Sequence, residues 1–328
     1  MSDPFLDLVD PELRNAALAM RATMAGQARM TKTRLKARRA WIGSITPEPH
    51  SHVPYVEIRI PRPTGCGDGP EVRAILVNPK ECRCGPGLLH CHGGGFTAST
   101  ARSGLRAVQE IAEALDCPVL TIDYRLAPET IWSGSLGDNY AALLWLHANG
   151  AAIGVDPARI AVMGESAGGG HAALLALAAR DRGEVPVIFQ SLTYPMLDDR
   201  TGTSRRKRFT LAEHIGYFGW NADANRFAWK SFLGCNPGGR EVPQDAVPAR
   251  AEDLSRLPPT WIGIGGLDLF VNESIAYAAR LNSAGVPTEL LLVPGGFHGF
   301  DSFAPAAAIS QRFSEAKIAA LRRGLGLA

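Results

Sequence analysis

The amino-acid sequence predicts an α/β protein built on one mostly parallel sheet with helices on both faces. From residue 55 onward, short β-rich apolar runs alternate with segments of helical apolar periodicity. Such alternation is typical of strands joined by crossover helices, which run parallel and are covered on both sides. The chain has 328 residues, of which 46% are hydrophobic, and this is enough for one large core.

The first 45 residues predict helical structure. Pro11 begins a segment in which four apolar residues share one helical face: Leu13, Ala17, Met20 and Met24. This apolar face requires a second surface to cover it.

Residues 51–195 carry the longer part of the alternation. The first two predicted strands are Tyr55–Ile60 and Val72–Val77, and the Pro- and Gly-rich turn between them indicates a hairpin. Four further strands are predicted: Leu88–Cys91, Pro118–Tyr124, Ile160–Met163 and Val185–Thr193. Helical patterns lie between these strands: one that ends over Gln109–Leu115, then Asp138–His147 and Ala167–Arg180.

Residues 196–250 interrupt the alternation, and residues 251–328 resume it. The interruption is rich in charged and aromatic residues and later in Pro and Gly. We interpret it as an insertion at the carboxyl edge of the sheet, where ligands bind in such folds. After it, the sequence predicts the strands Thr260–Gly265 and Thr288–Val293 and the helices Asn272–Ser283 and Pro305–Arg323.

A sharp turn between a predicted strand and a predicted helix is expected to expose Ser166. In Gly164-Glu165-Ser166-Ala167-Gly168, a glycine stands two residues to each side of the serine, where a side chain would strike the neighbouring strand or helix. This pattern is typical of a nucleophile elbow, in which the hydroxyl lies at the N-terminal end of a helix. We therefore predict that Ser166 is a nucleophile.

A glycine-rich loop about 70 residues earlier predicts the partner of that nucleophile. His92-Gly93-Gly94-Gly95-Phe96 directly follows a predicted strand, and its backbone N–H groups can bind an oxyanion. We predict an oxyanion hole formed by the N–H groups of Gly94, Gly95 and Ala167, with His92 bracing the loop. Together the two motifs indicate a serine hydrolase.

Chain order and strand position predict the acid and the base. In hydrolases with this elbow the order along the chain is nucleophile, acid, histidine. Asp268 lies three residues beyond one predicted strand and His298 five beyond the next, so both reach the same edge as Ser166. We predict Asp268 and His298, with Glu273 and the Asp198-Asp199 pair as alternative acids. The other histidines precede the serine, lie within helices or lie in the insertion.

Composition and charge exclude several classes of function. The chain carries 34 basic and 32 acidic residues, so its net charge of +2 gives no reason to propose a nucleic-acid partner. Two basic stretches, residues 32–39 and 205–208, are interpreted as solvated faces, and steering of anionic ligands or membranes is the alternative.

No run is long and apolar enough for a membrane span. The six cysteines lack the spacing of a zinc site, so no metal is expected. Since the first residues lack the pattern of an export signal, we expect a cytoplasmic protein with free thiols.

The motifs together resemble the bacterial hormone-sensitive-lipase-like family of α/β-hydrolase carboxylesterases. Besides the loop and the elbow, the resemblance includes Asp123-Tyr124-Arg125-Leu126-Ala127-Pro128-Glu129 and Gly296-Phe297-His298-Gly299-Phe300. It covers roughly residues 55–325 and is weak over 1–50 and 196–250. There are two departures: Glu165 stands where the family commonly has Asp, and residues 130–134 replace a stretch that usually contains Pro. We expect Asp123 and Arg125 to form a buried structural pair.

The resemblance implies the α/β-hydrolase fold, with a helical cap formed by residues 1–50 and 196–250 over a core of residues 51–195 and 251–328. It also implies the catalytic roles predicted above, no cofactor, and a homodimer formed through Thr288–Val293 and the last helix. The apolar residues of the insertion are expected either to form the cap's own small core or to line an acyl pocket: Phe209, Phe218, Trp220 and Phe227.

The predicted function is hydrolysis of short- to medium-chain acyl esters by a serine carboxylesterase. Because a triad and an oxyanion hole do not select the leaving group, an amide, carbamate or lactone hydrolase is the first alternative. A non-catalytic receptor for a small ligand is the second, since one fold hosts many functions. The presence of Ser166, Asp268 and His298 together argues against the receptor.

Overall fold

The predicted sheet is present. In the computed structural model, which describes residues 3–25, 31–80, 84–203 and 211–327, one sheet contains eight strands. They are β1 (Tyr55–Ile60), β2 (Val72–Val77), β3 (Gly85–Cys91), β4 (Val119–Asp123), β5 (Val155–Glu165), β6 (Val187–Thr193), β7 (Thr260–Gly265) and β8 (Thr288–Val293).

The order of the strands brings their loops to a common edge. The order across the sheet is β1-β2-β4-β3-β5-β6-β7-β8. The pairs β1–β2 and β2–β4 are antiparallel, which confirms the predicted hairpin, and all later pairs are parallel. Because β5, β7 and β8 run in one direction, the residues that follow them meet at the same edge.

Helices cover both faces of the sheet. They are α1 (Arg14–Ala25), α2 (Lys32–Ile45), α3 (Leu105–Leu115), α4 (Trp132–Asn149), α5 (Ala167–Arg182), α6 (Ala222–Leu233), α7 (Val271–Ser283), α8 (Phe300–Phe303) and α9 (Ala308–Leu325). One apolar cluster includes Ile111 of α3 and Phe313 of α9, and the other includes Leu143 of α4 and Leu175 of α5. The predicted α/β-hydrolase fold, a mostly parallel sheet flanked by helices, is therefore confirmed.

Helices α4 and α9 begin several residues away from their predicted starts. Helix α4 begins six residues before Asp138, because its first turns bury small and polar residues such as Ser135, which carry no apolar periodicity. The last predicted helix, Pro305–Arg323, corresponds to α9, which begins three residues later at Ala308. The short helix α8 ends before Pro305, since the residue before a proline disfavours the helical conformation.

The N-terminal helices and the insertion lie against the core. Leu13 and Ala17 are fully buried, and Met20 packs against the same cluster. In the insertion, the ring of Phe218 lies 6.5 Å from that of Phe297, in the loop after β8. The side chains of Met24 and Phe209 lie outside the described residues, as does the predicted basic stretch 205–208. Within the described part of the chain, no helix combines the length and apolarity needed to cross a membrane.

Candidate active site

Three side chains that the sequence selected meet at the carboxyl edge of the sheet. The Nε2 atom of His298 lies 2.9 Å from Oγ of Ser166, and its Nδ1 lies 2.7 Å from Oδ2 of Asp268. The other carboxylate oxygen of Asp268 accepts a hydrogen bond of 2.9 Å from the N–H of Phe270. Asp268 is fully buried. With Nδ1–H donating to that carboxylate, Nε2 faces the serine as an acceptor.

The turn that carries Ser166 has the close packing expected from its glycines. Ser166 adopts φ 57° and ψ −120°, an unusual backbone conformation for a residue with a side chain. A Cβ atom at Gly168 would lie 1.9 Å from the carbonyl oxygen of Cys91, and one at Gly164 would lie 2.3 Å from that of Gly168. The fold therefore requires glycine at both positions, and Ser166 stands at the N-terminal end of α5.

The glycine-rich loop lies against this turn. A Cβ atom at Gly93 would lie 3.6 Å from Cβ of Ser166, so the loop passes directly beside the serine. Gly94 and Gly95 both have positive φ, 118° and 62°, which favours glycine. Within the described ranges, the N–H groups of Gly94, Gly95 and Ala167 donate to no acceptor. Three donors are thus available beside the serine.

His92 contacts the glycine-rich loop directly, as a neutral imidazole. Its Nδ1 atom lies 2.7 Å from the carbonyl oxygen of Gly93, and its ring stacks on Tyr124 with ring centres 4.2 Å apart. The hydroxyl of Tyr124 donates to the carbonyl oxygen of His92 at 2.7 Å. Burial lowers the pKa of His92 to about 4, so the imidazole is neutral at pH 7. Because Nδ1 faces a carbonyl oxygen, this nitrogen carries the single proton and donates to Gly93. These contacts agree with the bracing role expected for His92.

Glu165 forms an ion pair that sequence reasoning missed. Its carboxylate lies 2.7 Å from Nε2 of His90, and Nδ1 of His90 lies 2.8 Å from the hydroxyl of Thr121. Burial alone would raise the pKa of Glu165, but the charge and hydrogen bond of His90 hold it below the ordinary value. The pair ties β5, which carries the serine, to β3, which carries the loop. No spacing signal connects the two residues, because they are 75 positions apart.

Aromatic rings surround the imidazole of His298. The rings of Tyr194, Phe270 and Trp220 have centres 4.9, 5.2 and 6.4 Å from its own. Trp220, from the insertion, also covers the glycine-rich loop, since a Cβ atom at Gly95 would lie 2.5 Å from its ring. The insertion therefore supplies one wall of the site.

The residues that the sequence offered as alternative acids have other partners. Glu273 is buried and accepts hydrogen bonds from the N–H groups of Leu197 and Asp198, at 2.6 and 3.2 Å. Asp198 pairs with Arg200, and Asp199 with Arg250. In the described part of the chain, no group of three or more His, Cys, Asp or Glu side chains is arranged to hold a metal ion.

The expected pairing of Asp123 with Arg125 is wrong. Arg125 pairs with Asp138 of α4 at 2.9 Å, whereas Asp123 accepts a hydrogen bond of 2.6 Å from the N–H of Ala101. Strand β4 ends at Asp123 and the chain turns, so the two side chains face different neighbours. Both roles are structural.

Comparison with known proteins agrees with this architecture. The family described as alpha/beta hydrolase fold matches residues 88–302. The chain belongs to the α/β-hydrolase family. Among its α/β-hydrolase relatives, carboxylesterase NlhH of Mycobacterium tuberculosis is 34% identical over 250 residues, which cover 73% of this chain and 74% of the relative.

Solved structures of α/β-hydrolases extend the similarity to almost the full length. A bacterial heroin esterase is 39% identical with a TM-score of 0.85, over 98% of this chain and 99% of that one. Esterase LipW from Mycobacterium marinum is 31% identical with a TM-score of 0.76, over 98% and 97% of the two chains. The predicted family is confirmed, and so is the predicted reaction class, that of a carboxylic ester hydrolase.

Proposed function

We propose that this enzyme is a serine carboxylesterase in which Ser166 is the nucleophile, His298 the general base and Asp268 the residue that orients it. The two hydrogen bonds at 2.9 and 2.7 Å through His298 carry this proposal. Nε2 of His298 accepts the proton of Ser166 as Oγ attacks the ester carbonyl, and Asp268 stabilises the imidazolium that forms.

The proposed oxyanion hole consists of the free N–H groups of Gly94, Gly95 and Ala167. They would hold the negative oxygen of the tetrahedral intermediate, and one such donor contributes about 2.7–4 kcal/mol of transition-state stabilisation. The imidazolium then gives its proton to the leaving alcohol, which leaves an acyl group on Ser166. Water, activated by the same imidazole, releases the acid and restores the serine.

The decisive experiment removes the nucleophile. Ser166→Ala is expected to lower kcat on the order of 10⁶-fold, as loss of the serine does in other triads, while circular dichroism shows an unchanged fold. Ser283→Ala is the matched control, because Ser283 is exposed on α7 and its hydroxyl contacts only its own helix. A phosphonate ester should label Ser166 alone in the wild type, as read by peptide mass spectrometry. A Ser166→Ala enzyme that kept a tenth of the activity would overturn the assignment.

We propose short- to medium-chain acyl groups as substrates. Ethyl acetate hydrolase of Pseudomonas putida, whose named substrate has a two-carbon acyl group, is 30% identical over 71% of this chain. Each methylene that fits the pocket contributes about 0.8 kcal/mol of burial, and methylenes beyond the pocket contribute nothing. We expect nitrophenyl esters to be hydrolysed best between about two and eight acyl carbons. Highest activity on esters of 16 carbons would contradict this, and anilides of the same acids test the amide alternative.

We also propose that residues 1–50 and 196–250 act as a cap. Arg39 of α2 donates a hydrogen bond of 2.7 Å to the carbonyl oxygen of Thr97, directly after the glycine-rich loop, and Trp220 covers Gly95 from the other segment. Deletion of residues 1–40 should shift or flatten the chain-length profile while Ser166 still reacts with small phosphonates. An unchanged profile would exclude this role for the N-terminal segment.

A homodimer through β8 is the proposed assembly. Strand β8 is the last strand of the sheet, so one of its edges has no strand partner among the described residues, and Leu292 on it is 45% exposed. Light scattering at micromolar concentration should give about twice the monomer mass of 35.0 kDa. Leu292→Lys should restore the monomer mass, and a wild-type monomer would refute the proposal.

A further inference from the structure

The two segments of the proposed cap have an uneven charge composition. Residues 14–47 contain eight Lys and Arg residues and no Asp or Glu, and residues 200–212 contain five and none. Since the whole chain carries only +2, the rest of it is net acidic. A positive surface around the entrance of a site raises the local concentration of anionic ligands.

Several of these cations have protein partners. Arg39 forms a two-point contact with Glu129 at 2.8 Å, and Arg200 pairs with Asp198 at 2.6 Å. The Arg39 contact holds the N-terminal segment to the core, and the Arg200 contact lies within the insertion. These cations are not available to a ligand in the same way as an unpaired cation.

Arg38 is different. It is half-buried on α2, and its guanidinium carbon lies 5.0 Å above the centre of the Trp220 ring. Among the residues that the structure describes, it forms no ion pair and no hydrogen bond. Residues 26–30 and 204–210, which the structure does not describe, contain no Asp or Glu. Burial lowers the pKa of Arg38 to about 10, which leaves it charged at neutral pH.

The position of Arg38 connects this cation to the reaction centre. Trp220, on which it stacks, lies against Gly95 of the glycine-rich loop, and the centre of the Trp220 ring is 6.4 Å from that of His298. A guanidinium with five N–H donors thus stands one aromatic ring away from the imidazole. A half-buried cation that has no counterion in the described part of the chain favours binding of an anion, above all a carboxylate, which matches its planar geometry.

We propose that Arg38 binds an anionic group of the substrate, so that the enzyme prefers esters that carry a carboxylate in their acyl or alcohol part. This inference rests on the proposed esterase function and names its substrate class. The net positive charge of α2, the helix that carries Arg38, attracts such esters, and Arg38 supplies the contact.

Matched pairs of esters test the preference. Mono-4-nitrophenyl adipate and 4-nitrophenyl hexanoate have six-carbon acyl chains that differ in a terminal carboxylate. 4-Acetoxybenzoate and its methyl ester differ in a carboxylate on the alcohol part. In at least one pair, kcat/KM of the wild type should be about tenfold higher for the anion, as expected for a charge-assisted contact. This ratio should fall between 20 and 500 mM salt, while kcat/KM of the neutral ester stays constant.

Substitution at Arg38 assigns the preference to that residue. Arg38→Gln should remove the preference through a higher KM for the anionic ester, so that kcat/KM falls more for the anionic ester than for the neutral ester of the same pair. Arg38→Lys should retain part of the preference. Lys36→Gln is the control: it removes the same charge two positions away, from the exposed opposite side of α2, and should leave the ratio unchanged.

The outcomes separate this inference from the proposed function. Hydrolysis of neutral esters without any preference for the anionic partner would overturn the role of Arg38 and leave the esterase intact. Equal losses on both members of a pair in Arg38→Gln would also overturn it, because they would indicate a purely structural stack on Trp220. Failure to hydrolyse any ester of either pair would overturn the proposed function itself.

Discussion

The choice between Asp268 and Glu273 as the acid can be tested by two substitutions of equal chemistry. In Asp268→Asn, the amide oxygen would remain with the N–H of Phe270, which Oδ1 accepts at 2.9 Å in the native protein. The NH₂ group would then face Nδ1 of His298, now 2.7 Å from Oδ2. Nδ1 must become the acceptor, so the proton moves to Nε2, where it points at the hydroxyl of Ser166.

The expected effect of this change is large. With the imidazole in the wrong tautomer, His298 cannot accept the serine proton, and in serine proteases the equivalent substitution lowers kcat about 10⁴-fold. That factor corresponds to about 5.4 kcal/mol of activation free energy. The assay is release of nitrophenol from a short-chain ester at neutral pH, and the unfolding midpoint serves as the control for a preserved fold.

Glu273→Gln should have the opposite profile. Burial, followed by the charge of Asp198, raises the pKa of Glu273 well above its usual value, and this favours the uncharged carboxyl, which the amide of glutamine resembles. The amide oxygen would keep the bonds from the N–H groups of Leu197 and Asp198. We therefore expect turnover within about twofold of the wild type, since no contact with His298 is lost.

The pH dependence of stability gives Glu273→Gln a second readout. The folded protein keeps the proton that the unfolded chain releases above a pKa of about 4.3, so this group destabilises the native state as the pH rises. Glutamine does not titrate, and the variant should gain stability relative to the wild type from about pH 4 upward. If Glu273→Gln abolished turnover and Asp268→Asn did not, the assignment of the acid and the reasoning from hydrogen-bond geometry would both be wrong.

Two further predictions follow from the loop and from the elbow. Gly95→Ala places a Cβ atom 2.5 Å from the ring of Trp220 at a φ of +62°, so the glycine-rich loop must move. We expect kcat to fall about 10²–10³-fold, as for loss of one oxyanion donor. The control Gly183→Ala has a similar φ of +66° but places its Cβ atom in open space, and it should keep full turnover. Similar turnover in the two variants would refute a role for the N–H of Gly95. Glu165→Gln removes a carboxylate whose pKa is lowered in the folded protein. Such a carboxylate stabilises the folded protein above the pKa that it has in the unfolded chain. This stabilisation is lost as the pH falls through the pKa of the folded state. Urea unfolding should therefore give the variant a free energy of unfolding about 1–3 kcal/mol below that of the wild type at pH 7, and a smaller difference at pH 3. A difference of equal size at both pH values would refute the charged pair with His90.

Local chemistry in the sequence was sufficient to predict most of the fold and the candidate site. Strands β1, β2, β7 and β8 have the predicted bounds because each is a short β-rich segment bounded by Pro, Gly, Asn or Glu. Ser166, Asp268 and His298 could be selected because residues that directly follow parallel strands must reach the same edge of the sheet. The glycines around Ser166 could be interpreted because their requirement is steric and local.

The contacts that depend on distant parts of the chain could only be known from the tertiary structure. Glu165 meets His90 because β3 and β5 are neighbours in the sheet although β4 lies between them in the sequence. Trp220 covers Gly95, about 125 positions earlier in the chain, and stacks on Arg38, about 180 positions earlier. The three residues converge at the edge of the sheet, and their positions follow no period. Arg125 pairs with Asp138 and not with Asp123, since the turn after β4 points it toward α4. A strand's neighbours and a loop's direction are set by the packing of the whole chain, so these partners leave no signal in the sequence around either residue.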